Sequence, residues 1–264
     1  MSANHAAFNL IFRFVENYIS PVAGRISSQR HVMAIRDGFI SAMPFMIVGS
    51  FLLVFAYPPF SPDTTWGFAR AWLDLAKEFE GRILTPFDMT MDIMSIYICA
   101  AISYNLGKHY EKAHQLDPFM CAMLSIMAFL LIAAPKTNGS LPVDSLGGTG
   151  IFTAILVAIY CVEMMRFLKA HNIGIRLPDQ VPPMIKNSFD LLIPVLVVVL
   201  TLYPLSLFIQ HHFDMLIPQA IMAIFKPLVS AADSLPAILL AVLIGHLLWF
   251  AGIHGAAIVS GMLQ

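Results

Sequence analysis

The chain has 264 residues, 58% hydrophobic and 12% charged, with a formal net charge of −1 and a mean hydropathy of +0.77. A soluble domain carries about 25% charged residues, so this composition cannot cover a water-facing surface. The near-zero net charge offers no basic field to gather phosphates, which argues against a nucleic-acid partner.

Charged residues are clustered and leave long neutral windows, and about 20 apolar residues suffice for a helix to cross a hydrocarbon core. The pattern predicts an all-α, polytopic helical membrane protein with about six spans. Charges punctuate residues 1–37, so the N-terminus does not read as a cleavable signal. Within it, Phe8, Ile11, Phe12, Val15 and Ile19 recur at helical spacing around Arg13 and Glu16, predicting an amphipathic helix on the membrane surface.

The first span is predicted at 38–57. A polar stretch at 58–83 follows, in which Trp72 and Phe79 suit an interfacial position. The second span, 88–107, opens on "DMTMD", placing Asp88 and Asp92 on one helix face. An intramembrane carboxylate is a functional candidate, but acids at a helix entry also suit headgroups and the N-terminal dipole. Spans at 118–135 and 151–167 come next, joined by a turn-rich loop. Glu163 and Arg166 read as an interfacial pair. The connector "HNIGIRLPDQVPPMIKNSFD" holds three prolines and marks a boundary between halves. A fifth span is predicted at 191–210, an interfacial segment at 214–234, and a last apolar run from 235 onward.

With the N-terminus inside, Arg13, Arg25, Arg30, Arg36, Lys108, Lys112, Arg166, Lys169, Arg176 and Lys186 fall on the inner side. Arg70, Lys77, Arg82, Lys136 and Lys226 fall outside. The two-to-one bias puts the connector in the cytoplasm. Cys99, Cys121 and Cys161 lie inside predicted spans with no zinc-like spacing, and read as inert thiols. No metal or cofactor is expected.

The last run contains "WFAGIHGA", Trp249 to Ala256. Gly252 and Gly255 each disfavour a helix interior by about 1 kcal/mol relative to Ala. Irregular backbone at membrane depth is tolerated where it is buried in protein or lines a watered cavity, and Gly-interrupted segments point to transporter substrate sites. In that reading Trp249 offers a flat face to a sugar ring and His254 a donor and an acceptor. Small residues also mark plain helix packing, and spacing alone does not separate the two readings. His246, earlier in the run, reads as structural.

Three stretches, residues 29–54, 175–194 and 247–256, together resemble one family. They are similar to the membrane permease subunits (enzyme IIC) of the bacterial phosphoenolpyruvate-dependent sugar phosphotransferase system, in the lactose/cellobiose/diacetylchitobiose branch. The resemblance implies a multi-pass protein of the bacterial inner membrane and a homodimer. It implies a disaccharide substrate contacted by His254, with Gly252, Gly255 and Trp249 around it in a first re-entrant hairpin. The phosphate would come from a IIB protein charged by a IIA protein, so that no residue of this chain carries phosphate.

The implied organisation is an N-terminal segment 1–37, a dimer-interface region 38–168, a connector 169–190 and the start of a sugar-transport domain at 191–264. Members of the family continue well past the Gly-Ile-His-Gly motif, through a second hairpin that supplies a glutamate to the sugar. The resemblance therefore implies a chain cut short of a closed sugar site. Two other classes remain: an ion- or proton-coupled secondary transporter relaying through Asp88, Asp92, Glu163 and His254, and a non-transporting membrane scaffold.

Overall fold

The computed structural model describes residues 24–230, apart from 26, 137–138 and most of 176–188, together with positions 239, 242, 243 and 246. Its main helices are α1 (Arg30–Ala56), α2 (Gly67–Phe87), α3 (Met94–His114), α4 (Pro118–Ala133), α5 (Ile151–Ala170), α6 (Leu192–Phe213) and α7 (Ile217–Ser230). Among the described residues there is no strand. The expected surface helix at the N-terminus and the expected span from 235 lie outside the described residues.

Four helical segments are long and apolar enough to cross a membrane: Arg30–Ala56, Gly67–His114, Gly148–Ala170 and Leu192–Phe213. Helix α4, at 16 residues, is about 24 Å long, just short of a full hydrocarbon core. Exposed Ile40, Phe51, Leu196, Leu200 and Phe208 give α1 and α6 apolar outer faces.

Helix α1 begins at Arg30 rather than at 38. Its first two turns hold Arg30, Arg36 and Asp37, which a search for neutral windows leaves out. The Gln29 side chain caps it by accepting from Val32 N at 2.9 Å, taking one of the donors a helix start leaves unpaired. Pro58 and Pro59 follow its end and cannot continue the ladder.

The expected second span is displaced. Residues Asp88–Asp92 form a π-helical turn between α2 and α3, and α3 starts only at Met94. Pro86, in the last turn of α2, has no N–H to give, and its ring crowds the carbonyl four residues back. The Thr90 hydroxyl helps hold the disturbed ladder by donating to Pro86 O at 3.1 Å and to Phe87 O at 2.9 Å. Asp88 is half-buried and Asp92 exposed at this turn.

Helix α3 is the centre of the bundle and packs against α1, α4 and α5. Its buried face has two adjacent ridges at four-residue spacing: Met94, Ile98, Ile102, Leu106 and Tyr110, and beside them Ser95, Cys99, Ser103 and Gly107. Lipid is as apolar as leucine, so helix association within a bilayer rests on packing rather than on dehydration. Small residues then decide how closely helices approach. On α1 the facing ridge is Ala34, Gly38, Ala42, Met46, and a Cβ on Gly38 would collide with Ile102 of α3. A Cβ on Gly107 would lie 3.0 Å from Cys121 Sγ on α4.

The α3–α4 turn is tight because Gln115 adopts φ 53. Asp117 then caps α4 by accepting from Phe119 N at 2.9 Å and Met120 N at 3.2 Å, with Pro118 in the first turn. The loop before α5 folds over the start of α3, where Ser95 N donates to Leu146 O at 2.9 Å. All three cysteines are buried and free.

Candidate functional site

The ends of α1, α3 and α5 meet in a polar cluster around one carboxylate. Glu163, in the last two turns of α5, accepts at Oε1 from Tyr110 Oη of α3 at 2.6 Å and from His31 Nε2 of α1 at 2.9 Å. Its Oε2 accepts from Arg166 Nε and Nη2, each at 2.6 Å. Four donors thus fill the roughly four lone-pair sites of a carboxylate. Side-chain exposure is 24% at Glu163 and 28% at His31, so the cluster is sheltered without being sealed.

The histidine tautomer follows from its partners. Gln29 Nε2, an amide donor, lies 2.6 Å from His31 Nδ1, which must therefore accept. The proton sits on Nε2 and is donated to Glu163. Gln29 is oriented in turn by Val32 N, which takes its Oε1. One amide therefore caps α1 and sets the state of the imidazole.

Tyr110 is buried and carries two cations on its ring. The Arg30 and Arg166 guanidinium carbons lie 5.3 and 5.2 Å from its centroid, within cation–π range. A second tie stands at the same end of α5: Lys169 Nζ lies 2.7 Å from Asp190 Oδ2, joining the two ends of the proline-rich connector.

At the far end of α1 the rings of Phe55, Phe60, Trp66, Phe68 and Trp72 contact one another at the α1–α2 turn. The interfacial position expected for Trp72 fits this aromatic group. Nearby, Tyr57 donates to Glu80 at 2.9 Å, and that hydrogen bond raises the phenol above its ordinary range.

The sequence-derived pair Glu163–Arg166 is formed. Tyr110 and His31 were missed: they lie 53 and 132 positions from Glu163, and the one local signal was a tyrosine and a histidine near predicted helix ends. Asp88 and Asp92 are brought together only at the π turn. Trp249, Gly252, His254 and Gly255 lie outside the described residues, as do several positions of the connector between 176 and 188.

Apolar helices of membrane-crossing length around a central helix, with ionic groups gathered where three of them end, define a multi-pass membrane protein of the all-α class. Residues 36–264 match the model of the family described as "Phosphotransferase system, EIIC", and the chain belongs to that family, whose members are multi-pass cell-membrane permeases.

The chain is 34% identical over 268 residues to the cellobiose-specific EIIC component of Geobacillus stearothermophilus, covering 95% of this chain and 57% of that protein. It is 33% identical over 246 residues to the lactose-specific EIICB component of Streptococcus mutans, covering 91% and 42%. The crystal structure of ChbC, the IIC component of the N,N'-diacetylchitobiose-specific phosphotransferase system, superposes with a TM-score of 0.72 at 33% identity. That match covers 95% of this chain and 60% of ChbC. The chain therefore spans between 42% and 60% of the length of these relatives.

Proposed function

We propose that this chain is the sugar-translocating part of a phosphotransferase permease. It conducts a β-linked disaccharide of the cellobiose, diacetylchitobiose or lactose type for phosphorylation by a IIB partner that a IIA protein recharges. The observation that carries this reading is the similarity, at about one third identity over more than nine tenths of the chain, to proteins named for those sugars. His254, flanked by Gly252 and Gly255 and near Trp249, is the proposed sugar contact.

In the proposed organisation, residues 38–168 form the dimer-interface region of a homodimer, 169–190 a connector and 191–264 the start of the transport region. The Lys169–Asp190 tie supports a connector whose two ends are held together. A proton relay is less well supported, because the lone pairs of Glu163 are already engaged by Tyr110, His31 and Arg166.

The test is uptake of radiolabelled cellobiose by cells without permeases of their own, expressing the polypeptide that carries these residues together with IIB and IIA proteins. Uptake should survive an uncoupler, require phosphoenolpyruvate, and deliver the sugar as its phosphate. Uptake abolished by the uncoupler, with free sugar inside, would point to secondary transport.

A further inference from the structure

Where α1, α3 and α5 come together, the positive charge exceeds what Glu163 neutralises. Arg166 is paired with that carboxylate through Nε and Nη2, which leaves the N–H groups of its other terminal nitrogen available. Arg30 is exposed, and among the described residues it makes no ion pair. Both guanidiniums are steadied by the ring of Tyr110, and Tyr110 is itself fixed by burial and by its hydrogen bond to Glu163. A planar guanidinium already held in place loses little freedom on binding and matches the geometry of a phosphate.

The position of the cluster supplies the rest. It stands where three apolar segments of membrane-crossing length end, at the junction of hydrocarbon and headgroups. Lysine and arginine crowd this side of the chain, which marks it as cytoplasmic, and the cytoplasmic leaflet is the one that attracts juxtamembrane basic groups. Phe167, in the last turn of α5, is 52% exposed and offers an apolar side chain at the same end of that helix. Because Glu163 is engaged by its own donors, it does not repel an incoming anion as a free carboxylate would.

We propose that Arg30 and Arg166, held over the ring of Tyr110, bind the phosphate of an anionic phospholipid of the cytoplasmic leaflet. Arg30 makes the principal ionic contact, and Arg166 adds the donors it does not spend on Glu163. The lipid bridges the start of α1 and the end of α5.

The test uses the full chain in a non-ionic detergent, titrated with phosphatidylglycerol or phosphatidylcholine and read by native mass spectrometry and thermal melting. Phosphatidylglycerol should be retained and should raise the melting midpoint, while phosphatidylcholine does neither. Arg30→Gln should weaken phosphatidylglycerol binding about fivefold, the factor that goes with one basic residue at an anionic surface. Lys112→Gln, an equal loss of charge on the exposed face of α3, should leave binding within twofold.

Equal weakening by the two variants would reduce the site to diffuse attraction and overturn the proposal. Retention of phosphatidylcholine as strong as that of phosphatidylglycerol would do the same. Inorganic phosphate giving the full thermal shift would assign the site to a soluble anion instead. If Arg30→Gln melts without lipid at a lower temperature than the parent, Arg30→Lys keeps the charge, and its lipid-dependent shift decides between charge and fold.

Discussion

Tyr110 of α3 donates its hydroxyl hydrogen to Glu163 of α5 at 2.6 Å, and this bond joins the central helix to the helix that also carries the Lys169–Asp190 tie. Tyr110→Phe keeps the ring and removes only the donor. It should cost about 1–2 kcal/mol, above the roughly 0.6 average for membrane hydrogen bonds because the acceptor is charged. Glu163→Gln should cost more, since it leaves Arg166 without a counter-charge. Combined, the two should be less than additive by at least about 0.5 kcal/mol in thermal unfolding. Strict additivity would show the bond to be incidental.

Close approach of α1 to α3 rests on Gly38. A methyl group there meets both the side chain and the backbone of Ile102, and neither can retreat far. Gly38→Ala should lower stability by about 1–3 kcal/mol through overpacking. Gly81→Ala in α2, where nothing lies within 4 Å, should gain about 1 kcal/mol from helix propensity. Opposite signs at two helical glycines are the expected result of a melting comparison.

Thr153 Oγ1 on α5 is buried with no hydrogen-bond partner. Thr153→Val keeps the shape and removes an unpaired polar atom. Its midpoint should equal or exceed the parent's, with a gain of up to about 1 kcal/mol. A loss larger than that would mean the hydroxyl is engaged.

The Lys169–Asp190 tie is half-buried, with side-chain exposures of 31% and 21%. Its loss should barely move the global midpoint, by about 0.5–1 kcal/mol, yet it should loosen the connector locally. Trypsin should cut at Arg176 or Lys186 faster in Asp190→Asn than in the parent. The exchange of Lys169→Asp with Asp190→Lys should restore the parental rate.

His254→Ala should abolish phosphoenolpyruvate-dependent sugar uptake while leaving the amount of membrane-inserted protein unchanged. Parental uptake in this variant would make His254 a packing residue.

How far the sequence reached can be seen at particular helices. Helix α4, expected at 118–135, runs Pro118–Ala133, because the neutral window opens right after the charged Asp117, where the helix also begins. Helix α6, expected at 191–210, runs Leu192–Phe213, since the polar Gln210, His211 and His212 end the apolar run before they end the helix. The π turn was invisible because hydropathy does not register a slipped hydrogen-bond ladder. The cluster at Glu163 was half legible: Arg166 is three residues away on the same helix, whereas Tyr110 and His31 arrive through the packing of α3 and α1.

Gln29 has two duties at the start of α1. Its Oε1 accepts from Val32 N while its Nε2 meets His31 Nδ1 at 2.6 Å, and that ring reaches Glu163 of α5. The amide that begins the ladder of α1 is therefore also the brace of a bond between two helices. Losing it would loosen a helix start and a cross-helix contact together.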